Sequence, residues 1–294
     1  MRWNKISLIG MGLMGGSLAL AVKQGRLALE IHAFVRRSAS VTEATKLAMA
    51  DVITQDLKEA VHEADLVVLC TPLSQMRALT EQMRPYLKPG AIVTDVGSVK
   101  GSVVQELEPI VHAAQAHFVG SHPMAGSEKT GLAAARADLF HNAVCLVTPG
   151  AYASAAAVVA VQDFWKAVGG CPIRMTPELH DDLVSRSSHL PHVVAAELAN
   201  YVLSPAHPKE QALVCANGFR DTTRIAAGSA EMWRDIALAN RKNLARVLGV
   251  FIEDLQEFQL ALERGDVQAV EEFFAKAKQR RDHWGAHGPA TSPE

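Results

Sequence analysis

Two side chains suited to proton chemistry stand just past buried, strand-like runs of the sequence. Ser98 follows the apolar run 91–96, and His122 follows the run Phe118-Val119. Ligands of an open α/β sheet bind beyond the carboxyl ends of its strands, so we expect both side chains to face one crevice. A histidine in that crevice predicts a base for a hydroxyl proton. The serine equally fits a helix N-cap, and one residue can serve both purposes.

A second polar group lies in the C-terminal half of the chain. His189 and His192 are three residues apart around Pro191, which places them on one side of a kinked helix. Arg224 can donate two hydrogen bonds to a carboxylate. Asp221, one helical turn earlier, either orients that arginine or forms a surface ion pair with it. We expect this group to contact an anionic substrate and to bind no metal, because no third ligand has suitable spacing.

Glycines near the start of the chain follow the pattern G-x-G-x-x-G, after the apolar run Ile6–Ile9 and before the helix-like stretch Leu18–Val22. A strand, a glycine turn and a helix in this order are typical of a site for a dinucleotide pyrophosphate. The competing interpretation is a glycine turn that binds nothing. The candidate cofactor-binding residues are Gly10, Gly12, Leu13, Met14 and Gly15 in this turn, with Thr71 and Pro72 after the strand-like run Leu66–Cys70.

The type of dinucleotide is indicated by the end of the second strand-like run, Ile31–Val35. An acidic residue usually stands there in proteins that use NAD, because it binds the ribose 2′-hydroxyl. This chain has Arg36, Arg37 and Ser38 instead, which offer donors for a 2′-phosphate. We therefore predict NADP, with NAD as the alternative if the two arginines are merely solvated loop charges.

The order of these runs predicts an α/β fold. Strand-like and helical segments alternate through residue 176, which predicts a dinucleotide-binding domain with a Rossmann-type, doubly wound parallel sheet. Residues 177–284 show almost only helical periodicity, which predicts an all-helical substrate and dimerisation domain. Residues 285–294 are small, polar and proline-bearing, and we expect a disordered tail there.

Composition narrows the class of protein. The 294 residues are 49% hydrophobic, enough for about two globular domains. A formal net charge of -2 gives no basic surface for nucleic acid. No apolar run reaches the roughly 18 residues of a membrane helix, and no signal peptide precedes the first strand, so we expect a soluble, cytoplasmic protein. The four cysteines form no C-x-x-C pair.

Taken together, the motifs resemble the prephenate and arogenate dehydrogenase family of tyrosine biosynthesis. The matching motifs are the glycine turn from Gly10 to Ser17, Asp95 to Lys100, Gly120 to Gly126, Ser188 to His192, and Asp221 with Arg224 to Ala226. The resemblance implies oxidation of a ring alcohol by hydride transfer to a nicotinamide, with loss of the ring carboxylate as carbon dioxide. It also implies a homodimer acting on a small-molecule substrate.

The resemblance assigns roles within the site. It implies that His122 accepts or hydrogen-bonds the ring hydroxyl proton and that Ser98 holds His122 or the same oxygen. Arg224 and His192 would bind substrate carboxylates.

Two further residues take roles from the resemblance. Glu128 would gate or polarise the pocket, and Trp233 would reach the site from the partner subunit. The competing functions are a non-catalytic NADP-binding sensor and a β-hydroxyacid dehydrogenase. The combined presence of His122, Ser98 and Arg224 argues against a sensor. A β-hydroxyacid dehydrogenase would carry its catalytic lysine on a helix of the linker region, where this chain has His180, Asp181 and Asp182 instead.

The choice between the two substrates depends on charge near the side-chain pocket. Arogenate carries an ammonium where prephenate has a neutral ketone, so an unpaired carboxylate there favours arogenate. Asp181 and Asp182 start the helix that carries His189 and His192, and His180 is the one cation expected to neutralise them. We therefore expect a preference for arogenate, with prephenate also accepted.

Overall fold

The computed structural model describes residues 2–126 and 131–287. Eight strands form a single sheet in the order β3-β2-β1-β4-β5-β6-β7-β8. The strands are β1 (Trp3–Ile9), β2 (Ala28–Phe34), β3 (Val52–Thr54), β4 (Leu66–Leu69), β5 (Ile92–Asp95), β6 (His117–Pro123), β7 (Val144–Pro149) and β8 (Cys171–Arg174).

The sheet is parallel from β3 to β6, as predicted, but its last two strands are reversed. β7 pairs antiparallel with β6, and β8 runs parallel to β7. A parallel connection needs a crossover, usually a helix. The described part of the β6–β7 connection holds only a short 3-10 turn, Leu132–Ala134, so the chain turns back beside β6. The sequence also gave no sign of β3, a three-residue strand at the sheet edge.

Helices cover the sheet in the N-terminal part and make up nearly all of the C-terminal part. Those of the N-terminal part are α1 (Leu13–Gly25), α2 (Ser38–Lys46), α3 (Leu57–Val61), α4 (Leu73–Met83), α5 (Gly101–His112) and α6 (Ala155–Ala167). The others are α7 (Pro177–Val184), α8 (Leu190–Val202), α9 (Asn217–Thr223), α10 (Ala230–Ala239), α11 (Arg241–Arg264) and α12 (Val267–His287). A π-helical turn, Ser185–His189, joins α7 to α8, and further 3-10 turns include Arg84–Tyr86, Lys209–Val214 and Arg224–Ala227.

Two hydrophobic cores lie on opposite faces of the sheet. In β4, Leu66 and Val68 belong to one core, and Val67 and Leu69 belong to the other. All four side chains are fully buried. A strand buried on both faces explains why β4 is a continuous apolar run rather than an alternating one, and it confirms the doubly wound architecture.

The chain divides into two compact units, Met1–Asn240 and Arg241–Glu294. The first unit contains the sheet and helices α1 to α10. The second contains α11 and α12, which meet through Phe258 and Phe273, whose ring centroids are 4.3 Å apart. Helix α12 continues to His287, so the predicted tail begins inside this helix, and residues 288–294 lie outside the described residues. None of the described helices is both long and apolar enough to span a membrane.

Candidate active site

The predicted cofactor and catalytic residues meet at the carboxyl edge of the parallel strands. Gly10 follows β1, Thr71 follows β4 and Ser98 follows β5, while His122 is the penultimate residue of β6. A Cβ on Gly10 would lie 2.9 Å from Thr71 Cγ2, so these two strand ends are in direct contact. The strand ends that carry these candidates therefore lie side by side, as expected.

The glycine turn is shaped to leave a helix N-terminus open. Gly10 has φ +105°, and a Cβ on Gly15 would lie 2.0 Å from the Gly10 carbonyl oxygen, so neither position accepts a side chain. Gly12, the N-cap of α1, has nothing within 4 Å of the position of a Cβ. Helix α1, which begins with Leu13 and Met14, has no side-chain cap and no acidic residue in its first turn. Its free N–H groups fit the pyrophosphate of a dinucleotide.

The neighbouring strand end adds a polar atom to this crevice. Thr71 Oγ1 is buried and has no hydrogen-bond partner among the residues that the structure describes. Pro72 is the N-cap of α4, where it offers no N–H of its own. An unpartnered hydroxyl beside the open glycine turn fits a bound ligand with polar groups.

The predicted 2′-phosphate site lies at the end of β2. Arg36 and Arg37 are exposed there, and Ser38 begins α2. Ser38 Oγ donates to Gln55 Oε1 at 3.1 Å, and Gln55 Nε2 donates to the Arg36 carbonyl at 2.8 Å. Gln55 thus fixes the loop that carries the arginines. Gln55 was not among the predicted residues because it follows β3, a strand that was not predicted.

A chain of hydrogen bonds determines which nitrogen of His122 carries a proton. His122 Nδ1 lies 2.9 Å from His180 Nε2, and His180 Nδ1 lies 2.8 Å from Asp181 Oδ1. A carboxylate only accepts, so His180 Nδ1 donates, and the Nε2 of this neutral ring must accept from His122. His122 therefore carries its proton on Nδ1 and keeps a lone pair on Nε2.

Asp181 is held in this position by the start of helix α5. Its carboxylate accepts the backbone N–H groups of Lys100 at 2.7 Å and Gly101 at 2.8 Å. Burial raises the pKa of Asp181, but hydrogen bonds from His180 and these two amides outweigh it, so the pKa lies below its usual value. Asp181 thus caps α5 from a distance, and Ser98 does not serve as the N-cap.

The expectation of unpaired acidic residues beside the substrate is wrong. Asp181 has the partners just described, and it is buried. Asp182 accepts two hydrogen bonds from Arg186, at 2.9 and 3.3 Å. Backbone amides stabilise the charge of Asp181, and Arg186 pairs with Asp182. The argument for arogenate from these residues therefore fails.

A fully buried ion pair holds the ends of β5 and β6 together. Lys100 Nζ bonds the Asp95 carboxylate and donates to the Ser121 carbonyl at 2.9 Å. Asp95 also accepts the backbone N–H groups of Gly97 at 2.8 Å and Ser121 at 3.0 Å. Because Ser121 precedes His122, this network fixes the strand that presents the catalytic candidate.

Burial and neighbouring charge keep His122 neutral. Burial is the main cause of a pKa well below the ordinary histidine value, and the neighbouring His180, Lys100 and His189 side chains lower this pKa further. A neutral ring with a free Nε2 lone pair has the form that a general base requires.

His189 and His192 face the same side of the helix, as predicted, and both meet Trp233. The His192 and Trp233 rings stack with centroids 3.6 Å apart, while His189 meets Trp233 edge-on at 6.2 Å. The kink expected at Pro191 takes the form of the π-helical turn immediately before it, an irregularity frequent at functional sites. Trp233 was expected to arrive from a partner subunit, but here it contacts histidines of its own chain.

The remaining candidates lie at different distances from this centre. Arg224 begins a 3-10 turn and is near enough to His192 that its charge lowers the histidine pKa, after the larger effect of burial. Asp221 is exposed on α9. The Ser98 backbone lies beside the His189 ring, and within the described part of the chain no hydrogen bond joins Ser98 to His122. Glu128 lies outside the described residues.

Two family models together match most of the chain. Residues 18–173 match the nucleotide-binding domain of prephenate dehydrogenase, and residues 176–276 match the dimerization domain of prephenate dehydrogenase. The chain belongs to the prephenate dehydrogenase family. The predicted family, fold class and reaction type are thereby confirmed: this is a nicotinamide-dependent dehydrogenase that oxidatively decarboxylates a cyclohexadiene ring alcohol.

Individual relatives agree over nearly the full length. Cyclohexadienyl dehydrogenase from Zymomonas mobilis is 35% identical over 281 residues, which are 95% of each chain. A structure of Aquifex aeolicus prephenate dehydrogenase with hydroxyphenyl propionate and NAD+ has 30% identity and a TM-score of 0.89, over 96% of this chain and 99% of that one. Synechocystis arogenate dehydrogenase has 28% identity and a TM-score of 0.81, over 95% and 99%.

The two glycines of the cofactor turn should differ in what their substitution damages. Gly15→Ala forces a Cβ into the Gly10 carbonyl, so we expect the free energy of unfolding to fall by about 1–3 kcal/mol. Gly12→Ala meets no protein atom and should change stability by less than about 0.5 kcal/mol, while it weakens dinucleotide binding. Urea unfolding without cofactor and a dinucleotide titration measure the two effects. Equal loss of stability in both variants would contradict this assignment.

Proposed function

We propose that His122 is the general base of this dehydrogenase and that NADP is its cofactor. The observation that carries the first proposal is the hydrogen-bonded series Asp181–His180–His122, which leaves a lone pair on His122 Nε2. The series gives a buried, neutral imidazole whose available nitrogen is a proton acceptor. The substrate is prephenate, arogenate or both.

The reaction needs one proton acceptor from the protein. The bound nicotinamide supplies the hydride acceptor. The ring alcohol gives its hydroxyl proton to His122 and loses its carbon-bound hydrogen as hydride, so the C–O bond becomes a carbonyl. The bond to the ring carboxylate then breaks, its electron pair enters the ring, and carbon dioxide leaves. His122 returns the proton to the resulting phenolate, which gives a phenol.

The protein's remaining task is to orient the substrate. Arg224 and His192 provide donors for substrate carboxylates, supported by the proximity of the arginine charge to the histidine. Trp233, stacked on His192, limits the positions that ring can adopt. Ser98 stands at the end of β5 in the same crevice, where its hydroxyl can bond the reacting oxygen. The roles of Glu128 and Asp221 stay predictions.

NADP is supported by the end of β2. Two exposed guanidinium groups and the first residue of α2 stand where a carboxylate would favour NAD, and Gln55 holds this loop in place. Ser38 already donates to Gln55, so the phosphate contacts fall mainly to Arg36 and Arg37.

We also propose that the chain works as a homodimer, with residues 1–176 binding the dinucleotide and residues 177–284 completing the site and the subunit contact. The second family model is a dimerization domain. Large apolar side chains on α11 and α12 are exposed in the single chain, among them Leu262 and Phe274. An apolar surface of this kind is typical of a subunit contact.

Substitutions of His122 and of His180, which orients it, test the proposed base. His122→Asn should lower kcat by roughly two to four decades, the span of general base catalysis, with cofactor affinity unchanged. His180→Leu leaves the His122 Nδ1–H without an acceptor and should lower kcat as well, whereas His180→Gln, which can offer an amide oxygen, should recover part of it. Steady-state kinetics measure both.

The pH profile supplies the control for this series. His122 acts in its neutral form, and its lowered pKa keeps that form dominant as pH falls through 6.5. The wild-type kcat/KM should therefore lose activity from His122 protonation only below that pH. A near-normal rate for His122→Asn would remove this residue from the mechanism.

Arg224→Ala tests substrate binding. The arginine is expected to bind a carboxylate equally in the ground state and the transition state, so its loss should raise KM for the substrate more than it lowers kcat. The KM for the cofactor should not change. A pure kcat defect with unchanged substrate affinity would contradict this role.

Cofactor choice is tested with both dinucleotides. A charge-assisted hydrogen bond contributes about 1.5–3 kcal/mol, so the wild type should prefer NADP over NAD by at least about tenfold in kcat/KM. Arg36→Ala and Arg37→Ala should reduce that preference by raising the KM for NADP, with little change in the KM for NAD. Equal efficiency of the wild type with both cofactors would refute the NADP proposal.

A further inference from the structure

We propose that His189 donates a hydrogen bond from Nε2 to the reacting oxygen of the substrate, and that Asn240 is the positioning residue that makes it a donor. The proposal rests on the proposed function, in which His122 accepts the proton of that same oxygen. The sequence predicted His189 as a substrate contact but not whether it donates or accepts a hydrogen bond. Asn240 was not predicted as a site residue.

Asn240 fixes the tautomer of His189. Its Nδ2 atom donates to the main-chain carbonyl of Asp181 at 2.8 Å, a bond that only the NH₂ side of the amide can make. The same Nδ2 lies 3.2 Å from His189 Nδ1. Because an amide NH₂ has no lone pair to offer, His189 Nδ1 must accept. A neutral His189 then carries its proton on Nε2.

That Nε2–H has no well-formed acceptor among the described residues. His189 is 1% exposed, and its Nε2 has no hydrogen-bond partner among the residues that the structure describes. The Ser98 backbone lies close enough to raise the pKa of His189 as a weak hydrogen-bond acceptor, but its position does not meet the distance and angle of an ordinary hydrogen bond to Nε2. A buried donor without a partner is unfavourable and rare, which indicates that a ligand atom completes it.

The ring is also in the neutral form and beside the base. Burial, reinforced by the neighbouring His180 and His192, lowers the pKa of His189 to about 4 despite the opposing effects of Asp181 and the Ser98 backbone. His189 is close enough to His122 to affect its pKa. The two neighbouring rings therefore carry opposite groups, an acceptor on His122 Nε2 and a donor on His189 Nε2, and the proposal has both groups bond one ligand oxygen.

An alcohol oxygen matches this pair, since it has one proton to give and lone pairs to accept a bond. As the hydroxyl proton moves to His122, negative charge develops on the oxygen, and a fixed donor stabilises that charge. His189 keeps its own proton throughout, so the balance of the reaction is unchanged. After aromatisation the same donor would bond the phenol oxygen.

Asp181 connects both histidines. Its carboxylate orients His180 and through it His122, while its main-chain carbonyl orients Asn240 and through it His189. Asp181 thereby sets which nitrogen carries the proton in His122 and in His189. A displacement of Asp181 would disturb both rings.

Two variants of His189 separate hydrogen bonding from packing. His189→Leu keeps an apolar body of similar size but no donor, and we expect kcat to fall about 100-fold, as for loss of one oxyanion donor. His189→Gln can place an amide N–H near the original Nε2 position and should recover at least about tenfold of that loss. The cofactor KM should stay constant in both. Equal activity of the two variants, or a more active leucine variant, would overturn the proposal.

A direct observation of the tautomers does not depend on activity or on the stability of a variant. Long-range proton–nitrogen NMR spectra of the wild type at neutral pH should show His189 protonated on Nε2 and His122 protonated on Nδ1. Asn240→Asp replaces the donor with an acceptor, so it should move the His189 proton to Nδ1 and lower kcat. Protonation of wild-type His189 on Nδ1 would overturn this inference, while the His122→Asn result alone decides the base.

Discussion

The arrangement of the active site depends on one carboxylate, that of Asp181. This carboxylate is buried, and a buried ionised group is stable only when several donors bond it. Two donors are the first amides of helix α5 and the third is His180 Nδ1. The same bonds join helix α5, which covers the sheet, to helix α7, which carries His180 and Asp181. Structure and chemistry therefore share an interaction: the charge that caps α5 also directs the proton of the base.

Much of the fold was predictable because its signals are local. A glycine turn between a strand and a helix, and apolar runs at regular intervals, are read within a few residues of chain. The direction of β7 was not predictable in this way. It depends on whether the preceding connection contains a helix long enough to cross the sheet, and a loop without such a helix leaves the next strand antiparallel. The composition of β7 alone does not decide that direction.

The site was predicted in part for the same reason. His122 stands next to a strand end and could be identified from its neighbours. Its partner His180 is 58 residues away in sequence, and Asn240 lies 59 residues beyond Asp181, so no motif joins them. Asp181 was a candidate because of its charge. Its hydrogen-bond donors include backbone amides, which no sequence motif reveals. The number of nearby cationic side chains therefore predicted an unpaired Asp181 carboxylate, whereas in the fold this carboxylate accepts several hydrogen bonds.

The buried pair of Lys100 and Asp95 restricts the mutational paths open to this chain. Neither side chain has access to water, so replacing one alone strands the charge of the other at a cost of about 3–5 kcal/mol. Net stabilities of whole domains are about 5–15 kcal/mol, so such an intermediate loses a large share of its stability. An apolar pair of similar volume can be as stable as the ions it replaces, yet it is reached only when both codons change together. Asp95 and Lys100 are therefore kept by the instability of each single substitution, whether or not the reaction requires them.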